Sequence, residues 1–247
     1  MVSIVLVSHS RKLAEGALEL AREMGGGELN MRAVGGAGEE GESLGTDASA
    51  IRDAIQEVYS DDGVLVLMDL GSAVMNAELA VEMLPPEIAE NVRLCDAPFV
   101  EGSVAATVQA RIGTPMEGVI SEAKSALAAK QTHLGNDEPE KTAEQPPAGG
   151  NTNEEELTFR IVIDHPVGLH ARPAARFVET ASRFTDTEIR VTNTTENQGP
   201  TNGKSIIALT ALGVRQDDEI EVTASGSQTH QALDALRMLI ENNFDND

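Results

Sequence analysis

The sequence has one cysteine, Cys95, one tyrosine and no tryptophan. A single cysteine cannot form an internal disulfide, and it cannot supply the ligands of a zinc finger or an iron–sulfur site. No run approaches the roughly 18 consecutive apolar residues of a membrane span. The N-terminal MVSIVLVSHS also has too few basic residues for a secretory signal. We therefore expect a reduced, cytoplasmic protein without a bound metal.

Positive charge is also scarce, since 18 Lys and Arg residues face 41 Asp and Glu residues, a net charge of −23. Such a surface repels the phosphates of nucleic acids, which excludes a nucleic-acid partner. The surface is poor in lysine as well as acidic. This composition favours a salt-rich, halophilic cytoplasm, where screening by salt weakens the repulsion between carboxylates.

The chain divides at an acidic segment, residues 131–156, which contains three prolines and no aromatic residue. This segment has almost nothing to bury, so it is predicted to be an extended, disordered linker. It separates a first domain, residues 1–130, from a second domain, residues 157–247.

Apolar strands alternate with amphipathic helices in the first domain, which predicts a parallel sheet covered on both faces. Helix RKLAEGALELAREMG is expected to bury one face, formed by Leu13, Ala17, Leu20, Ala21 and Met24. The second domain is read as strand, helix, strand, a turn with a short helix, strand and helix. That order predicts a compact α+β sandwich with helices over one face of a sheet.

A histidine, His170, lies in HPVGLHARPAARFVE where a predicted strand (157–164) gives way to a predicted helix (171–184). Neutral imidazole nitrogen is a nucleophile near neutral pH. A phosphoryl group on this ring would meet free amides and the positive end of the helix dipole. Arg172 adds a charge that matches phosphate. The pattern predicts a phosphohistidine site; the alternative is a half-exposed histidine that only caps a helix.

The segments GLHARPA (168–174) and NGKSIIALTALG (202–213) resemble the histidine-containing phosphocarrier family HPr. The resemblance covers nearly all of residues 157–244. It implies that His170 is the phosphorylated residue and that Arg172 is its charge partner.

The same resemblance implies two further roles in the second domain. Ser205 occupies the position of a serine that is regulatory in some family members. Ile206 and Ile207 are similar to the apolar surface on which partners dock, and the alternative for both is core packing.

A second histidine, His9, follows the first strand in SIVLVSHS, and Asp69 ends the strand VLVLMD. Ligands of parallel sheets gather at the carboxyl ends of the strands, so these side chains could meet. A carboxylate that accepts from one ring nitrogen makes the other a better nucleophile. Gly71 and Ser72 then begin a helix whose free amides could hold a phosphoryl group.

Five segments of the first domain resemble the phosphotransfer subunits of dihydroxyacetone kinase, the DhaM family: VSHSRKLAEG, LGTDA, MDLGSA, RLCDAPFVEG and AATVQA. That family has a mannose-type IIA fold. The resemblance implies that His9 is phosphorylated and that Asp69 orients it. Thr46, Gly71 and Ser72 fall in matching loops, which implies supporting roles.

Together the two resemblances imply a phosphotransferase subunit in which an HPr domain is fused to a DhaM domain. Phosphate would pass from phosphoenolpyruvate to a separate enzyme I, then to His170 and His9. The acceptor would be ADP in a DhaL-type kinase subunit, which works with the substrate-binding subunit to phosphorylate dihydroxyacetone (glycerone) in glycerol metabolism. We expect no bound cofactor, phosphate being carried as phosphohistidine, and we consider a homodimer formed through the first domain.

Two other functions are compatible with the motifs. One is a IIA component of sugar transport, and the other is a regulatory phosphorylation sensor that transfers nothing onward. The remaining histidines, His133, His165 and His230, are expected to have no catalytic role, and Cys95 is expected in the core.

Overall fold

The protein is described by a computed structural model that covers residues 1–25, 29–38, 43–133 and 156–244. The chain forms two compact units, which divide in sequence between Leu127 and Ala128. Across the described ranges, no helix is long and apolar enough to cross a membrane.

The first unit contains a parallel sheet of four strands in the order β2-β1-β3-β4. The central strands are buried along their whole length because helices cover both faces, which confirms the predicted parallel α/β fold. The strands are β1 (Ser3–Ser8), β2 (Met31–Gly35), β3 (Val64–Met68) and β4 (Val92–Cys95).

Two hydrophobic cores lie on the two faces of this sheet. Ile4 and Leu6 of β1 face one core, and Val5 and Val7 face the other, because successive side chains of a strand point to opposite faces. Residues of α1, α5 and α6 fill the first core, and residues of α2 and α3 fill the second. The helices are α1 (Arg11–Gly25), α2 (Ala48–Val58), α3 (Gly71–Glu82), α4 (Pro86–Ala89), α5 (Phe99–Arg111) and α6 (Met116–Lys124).

The predicted buried face of α1 was wrong in part, since Leu13 and Leu20 are 45% and 39% exposed. Helix α1 packs closely against α5, and a Cβ at Gly25 would lie 2.6 Å from the Thr107 side chain. Only small side chains fit such an approach. The buried face is therefore formed by Ala14, Ala17, Ala21 and Gly25.

A 3₁₀ turn, Ser125–Leu127, leads into a short helix α7 (Ala128–His133). Residues 131–133, assigned to the linker from the sequence, are therefore helical. The rest of the linker prediction lies outside the described residues. Within the second unit, α7 lies against α9 (Ile206–Ala211).

The second unit contains an antiparallel sheet in the order β5-β8-β6-β7, which confirms the predicted α+β class. Alternate residues of β6 are buried, so one face carries the core. The strands are β5 (Leu157–Val162), β6 (Thr187–Asn193), β7 (Gln198–Asn202) and β8 (Glu219–Gly226); besides α9, the helices are α8 (Ala171–Ser182) and α10 (Thr229–Glu241).

Strand β7 corrects the sequence-based prediction, which placed a turn at these residues. It is one of the two edge strands of this sheet, and most of its side chains are exposed. An edge strand with no buried face needs no apolar alternation, and one that contains Pro200 does not look like a strand in sequence.

Candidate functional site

The first site lies at the carboxyl edge of the parallel sheet, where β1 and β3 are neighbours. Val7 of β1 is paired with Met68 of β3, so the residues that follow them, Ser8 and Asp69, lie side by side. The Asp69 N–H donates to the Val7 carbonyl at 3.2 Å, which extends the ladder by one bond. The sheet thus places Asp69 directly beside His9.

Both ring nitrogens of His9 lie within hydrogen-bond distance of another side chain. Nδ1 lies 2.8 Å from Asp69 Oδ1, and Nε2 lies 2.5 Å from the Ser72 hydroxyl. The His9 side chain is 21% exposed and that of Asp69 is 10% exposed. The imidazole is therefore fixed in orientation but still reachable from solvent.

Asp69 accepts three further hydrogen bonds. Its Oδ2 accepts from the Ser8 hydroxyl at 2.8 Å and from the His9 N–H at 2.9 Å, and its Oδ1 accepts from the Leu70 N–H at 2.7 Å. Burial by itself would raise the pKa of Asp69, but the hydrogen bonds from His9, Ser8 and Leu70 outweigh it and hold the pKa below its ordinary value. An ionised carboxylate can only accept, so the ring proton of His9 is on Nδ1 and the lone pair is on Nε2.

The first turn of α3 faces the same nitrogen through Ser72. The residue that precedes the helix, Leu70, has no capping side chain. Among the described residues, nothing accepts a hydrogen bond from the N–H groups of Gly71 and Ser72. These two amides and the positive end of the helix dipole form an anion-binding position next to Nε2.

Thr46 acts on this site only indirectly. Its hydroxyl accepts a hydrogen bond from Asn76 Nδ2 at 2.6 Å, which links its loop to α3. In the same loop, the Gly45 N–H donates to the His9 carbonyl at 2.9 Å. Thr46 therefore positions the loop and the helix around His9.

The second site is at the beginning of α8. His170 is the N-cap residue, with extended backbone angles (φ −75°, ψ −178°) and no side-chain cap. Its ring is exposed and makes no hydrogen bond to any residue that the structure describes. Arg172 is exposed on the first turn of the same helix. In contrast to His9, the ring of His170 is not fixed by any of the described residues.

The region around Ser205 differs from the sequence-based expectation at one residue. Ser205 caps α9, and its hydroxyl accepts from the Ala208 N–H at 3.0 Å. Ile206 is 2% exposed and belongs to the core, so it cannot form part of a docking surface. Ile207 is half-buried, and an apolar docking surface here includes only this member of the pair.

Three polar partners of the first site were missed in the sequence: Ser8, the Leu70 N–H and Asn76. Ser8 stands beside His9 and shows no distinguishing pattern, and an amide of the backbone leaves no trace in composition. Asn76 lies one helical turn beyond Ser72 on α3, where a polar residue on a largely apolar helix is a weak signal.

The remaining histidines were expected to have no catalytic role and Cys95 to lie in the core, and their surroundings are as follows. His165 packs edge-on against Phe244, with ring centroids 5.8 Å apart, and His230 is exposed on α10. Cys95 is buried as predicted, and burial raises the pKa of its thiol. The His133 side chain lies outside the described residues. Within the described ranges, no three His, Cys, Asp or Glu residues are grouped as a metal site would require.

Comparison with known families matches two separate segments of the chain. The family model for the PTS system fructose IIA component matches residues 3–120, and the model for the PTS HPr component phosphorylation site matches residues 157–242. The two matches have the order that the motifs predicted.

Three curated relatives illustrate the similarity. The PEP-dependent dihydroxyacetone kinase phosphoryl donor subunit DhaM of Escherichia coli K12 is 40% identical over 99% of this chain and 51% of its own length. A second such DhaM, from Listeria innocua, is 39% identical over 49% of this chain and 96% of its own. The phosphocarrier protein HPr of Mycoplasma genitalium is 40% identical over 34% of this chain and 93% of its own. The chain thus spans about half the length of the relative from Escherichia coli.

Proposed function

Because the chain belongs to the DhaM family of phosphoryl donor subunits and carries an HPr-type domain, we propose that it relays phosphate to dihydroxyacetone kinase. The relay runs from enzyme I to His170, then to His9, and then to ADP bound in the kinase's nucleotide subunit. The observation that carries this proposal is the geometry at His9, where Asp69 holds the proton on Nδ1 and an uncapped helix faces Nε2.

In the first step, the lone pair of a His170 ring nitrogen attacks the phosphorus carried by enzyme I. The N–P bond in enzyme I breaks as the new N–P bond forms, and the donor histidine recovers its lone pair. The exposure of His170 supports this step, because a large partner must bring its phosphorus close to the ring.

In the second step, Nε2 of His9 attacks the phosphorus on His170. Nε2 forms the new bond as the bond to His170 breaks. Asp69 keeps the proton on Nδ1 and offsets the positive charge that the ring gains. The Ser72 hydroxyl and the amides of Gly71 and Ser72 can then donate to the phosphoryl oxygens.

In the third step, a terminal phosphate oxygen of ADP attacks the phosphorus on His9, and Nε2 recovers its lone pair. The kinase subunit must then cover the surface around His9. An apolar stripe on this surface supports such docking, since it begins at Leu70 beside Asp69 and runs along α3. The stripe consists of Leu70, Val74, Met75, Leu79 and Met83, all of them exposed.

We also propose that the first unit pairs with a second copy of itself. Strand β4 is an edge of the sheet, and an edge strand can pair with another chain. Sedimentation of the first unit alone would give the mass of a dimer, whereas a monomer across the concentration range would contradict this proposal. All three steps of the relay, and its partners, would operate in the cytoplasm.

The relay is tested with enzyme I, phosphoenolpyruvate and magnesium, with intact mass as the readout. We expect the His9→Ala variant to take up one phosphoryl group, on His170, and to leave dihydroxyacetone unphosphorylated by the kinase. We expect the His170→Ala variant to take up none, until a separate phosphocarrier is added. Labelling of His170→Ala by enzyme I at the wild-type rate would refute the order of the relay.

Two other outcomes would assign a different function. Transfer from His9 to a sugar permease but not to the kinase would indicate a IIA component of sugar transport. A stable phosphohistidine at His9 that passes to neither acceptor would indicate a regulatory sensor. The wild-type chain in the same assay, with the kinase subunits present, separates these outcomes.

A further inference from the structure

Basic side chains without a partner are rare among the described residues of this acidic chain. In the ranges that the structure covers, three basic side chains make no hydrogen bond, ion pair or ring contact: those of Arg11, Lys12 and Arg215. Arg11 and Lys12 directly follow His9 and its neighbour Ser10. Arg215 is far from His170 in sequence, so its position needs a structural explanation.

The fold brings the backbone of Arg215 against the loop that precedes His170. Gly168 has a positive φ of +62°, and a Cβ on it would lie 2.8 Å from the Cα of Arg215. The Leu169 N–H donates to the Val214 carbonyl at 3.1 Å. Two residues span at most about 7 Å of chain, and the Cα atoms of Gly168 and Arg215 are at most about 4 Å apart, so the Cα atoms of Arg215 and His170 lie within about 11 Å, a distance that an arginine and a histidine side chain can bridge together.

The backbone at Arg215 is held in place while its side chain is exposed. Its N–H donates to Asp218 Oδ2 at 2.8 Å, and Asp218 is buried and also accepts from Asn193 Nδ2 at 3.3 Å. Within the described residues, this carboxylate forms no ion pair with the Arg215 guanidinium. The loop fixes the Arg215 backbone near the histidine and leaves the guanidinium free to bind an anion.

We propose that Arg215 is a second phosphoryl-binding cation of the His170 site, in addition to Arg172 on the first turn of α8. This inference rests on the proposed phosphorylation of His170. The guanidinium stays protonated throughout. A ring nitrogen of His170 forms the N–P bond, the donor's bond to phosphorus breaks, and Arg215 binds phosphoryl oxygens before and after the exchange.

The magnitude follows from the charges. A unit charge about 6 Å from a singly charged phosphoryl group in water changes a rate by about threefold, and a doubly charged group by about tenfold. The effect must fade with salt, because the Debye length falls from about 10 Å at 0.1 M to about 3 Å at 1 M. A role in packing alone would not respond to salt in this way.

The test uses phosphoramidate, a small chemical phosphoryl donor, on the full chain in a His9→Ala background, and peptide mass after digestion reports His170 separately from His133, His165 and His230. Ammonia leaves as the His170 N–P bond forms. We expect Arg215→Gln to slow labelling about three- to tenfold at low salt and to approach the parent rate at 1 M salt. Arg215→Lys keeps the charge and should retain most of the rate.

The matched control is Arg190→Gln, which removes the same charge from an exposed position on β6 of the same unit. It should label at the rate of the parent, and circular dichroism should show that both variants are folded. Equal rates for Arg215→Gln and its parent at low salt would overturn the inference. Equal slowing of the Arg190→Gln control, or slowing that persists unchanged at 1 M salt, would do so as well.

Failure of the proposed relay can be distinguished from failure of the inference about Arg215, because phosphoramidate needs no protein partner. If enzyme I does not label the chain but phosphoramidate labelling depends on Arg215, the proposed relay fails and the anion site remains. If enzyme I labels His170 normally in Arg215→Gln and the chemical rate is also unchanged, the relay stands and the inference about Arg215 fails.

Discussion

Replacing Asp69 by asparagine tests how far the first site depends on the charge of this carboxylate and on its two acceptor oxygens. Each carboxylate oxygen accepts two hydrogen bonds: Oδ1 from the His9 ring and the Leu70 N–H, and Oδ2 from the Ser8 hydroxyl and the His9 N–H. An asparagine has one acceptor oxygen, so its NH₂ group must face two donors in either orientation.

Both orientations of this asparagine harm the site. If the NH₂ group takes the place of Oδ2, the Ser8 hydroxyl can rotate but the His9 N–H loses its acceptor, at a cost of about 1–3 kcal/mol. If it takes the place of Oδ1, it faces Nδ1 of His9, which drives the ring proton to Nε2 and removes the nucleophilic lone pair. We therefore expect Asp69→Asn to slow transfer to His9 roughly 100- to 10,000-fold while the first unit still folds.

The assay is a single turnover from a separate phosphorylated HPr to His9 in a His170→Ala background, followed by rapid quench and intact mass. Asp53→Asn is the control, because it removes an exposed carboxylate of α2 in the same unit. A transfer rate for Asp69→Asn within about threefold of its parent, with a folded first unit, would refute the role of Asp69. Asp69→Ala should be at least as slow.

The same variant gives a pH test in urea unfolding. Because the pKa of Asp69 is lower in the folded state than in the unfolded state, its carboxylate stabilises the fold above the unfolded pKa of about 3.9. That contribution is lost as the pH falls through the lower folded pKa. The difference in unfolding free energy between wild type and Asp69→Asn should therefore be constant near pH 7 and shrink below about pH 4.

Three further predictions concern stability and organisation. Circular-dichroism melts should shift to higher temperature as potassium chloride is raised from 0.1 to 1 M, since screening weakens carboxylate repulsion; a midpoint independent of salt would contradict the salt-rich cytoplasm. Cleavage within residues 134–155 should leave both halves folded and still able to exchange phosphate, more slowly at low concentration, and loss of either fold would contradict the domain boundary. Gly168→Ala should destabilise only the second unit, by about 2 kcal/mol, because the φ of Gly168 is +62° and a Cβ would lie 2.1 Å from the Val214 carbonyl. Calorimetry in which the unfolding transition of the second unit stays unchanged would contradict this.

The local sequence pattern was sufficient to predict the environment of a residue where that environment depends only on the residue's own segment. The apolar runs of β1 and β3 are buried on both sides, which a continuous run of β-forming residues indicates. His9 and Asp69 each directly follow such a strand, so their meeting at the edge of the sheet could be expected from topology. His170 at the beginning of α8 followed from the change of period at that point.

The sequence pattern was not sufficient to predict which side chains are buried where either of two faces of one element could pack against the core. Helix α1 offers a stripe with large apolar residues and a stripe of alanines, and only the close approach of α5 selects the alanines. Ile206 and Ile207 are adjacent and chemically alike, and the placement of α9 on the sheet decides that the first is core and the second half-buried. Strand β7 has no apolar signal and is a strand because β6 offers it hydrogen bonds.

The sequence by itself determined the two fold classes, their order along the chain and the two histidines, because strand and helix periods and residue chemistry are local properties. The tertiary structure alone decided which groups surround those histidines. It added the Ser8 hydroxyl and the Leu70 N–H as donors to Asp69, and it brought the backbone of Arg215 from beyond α9 to the loop that precedes His170. Such contacts depend on sheet register and loop packing, which depend on the burial of every strand at once and not on any one segment.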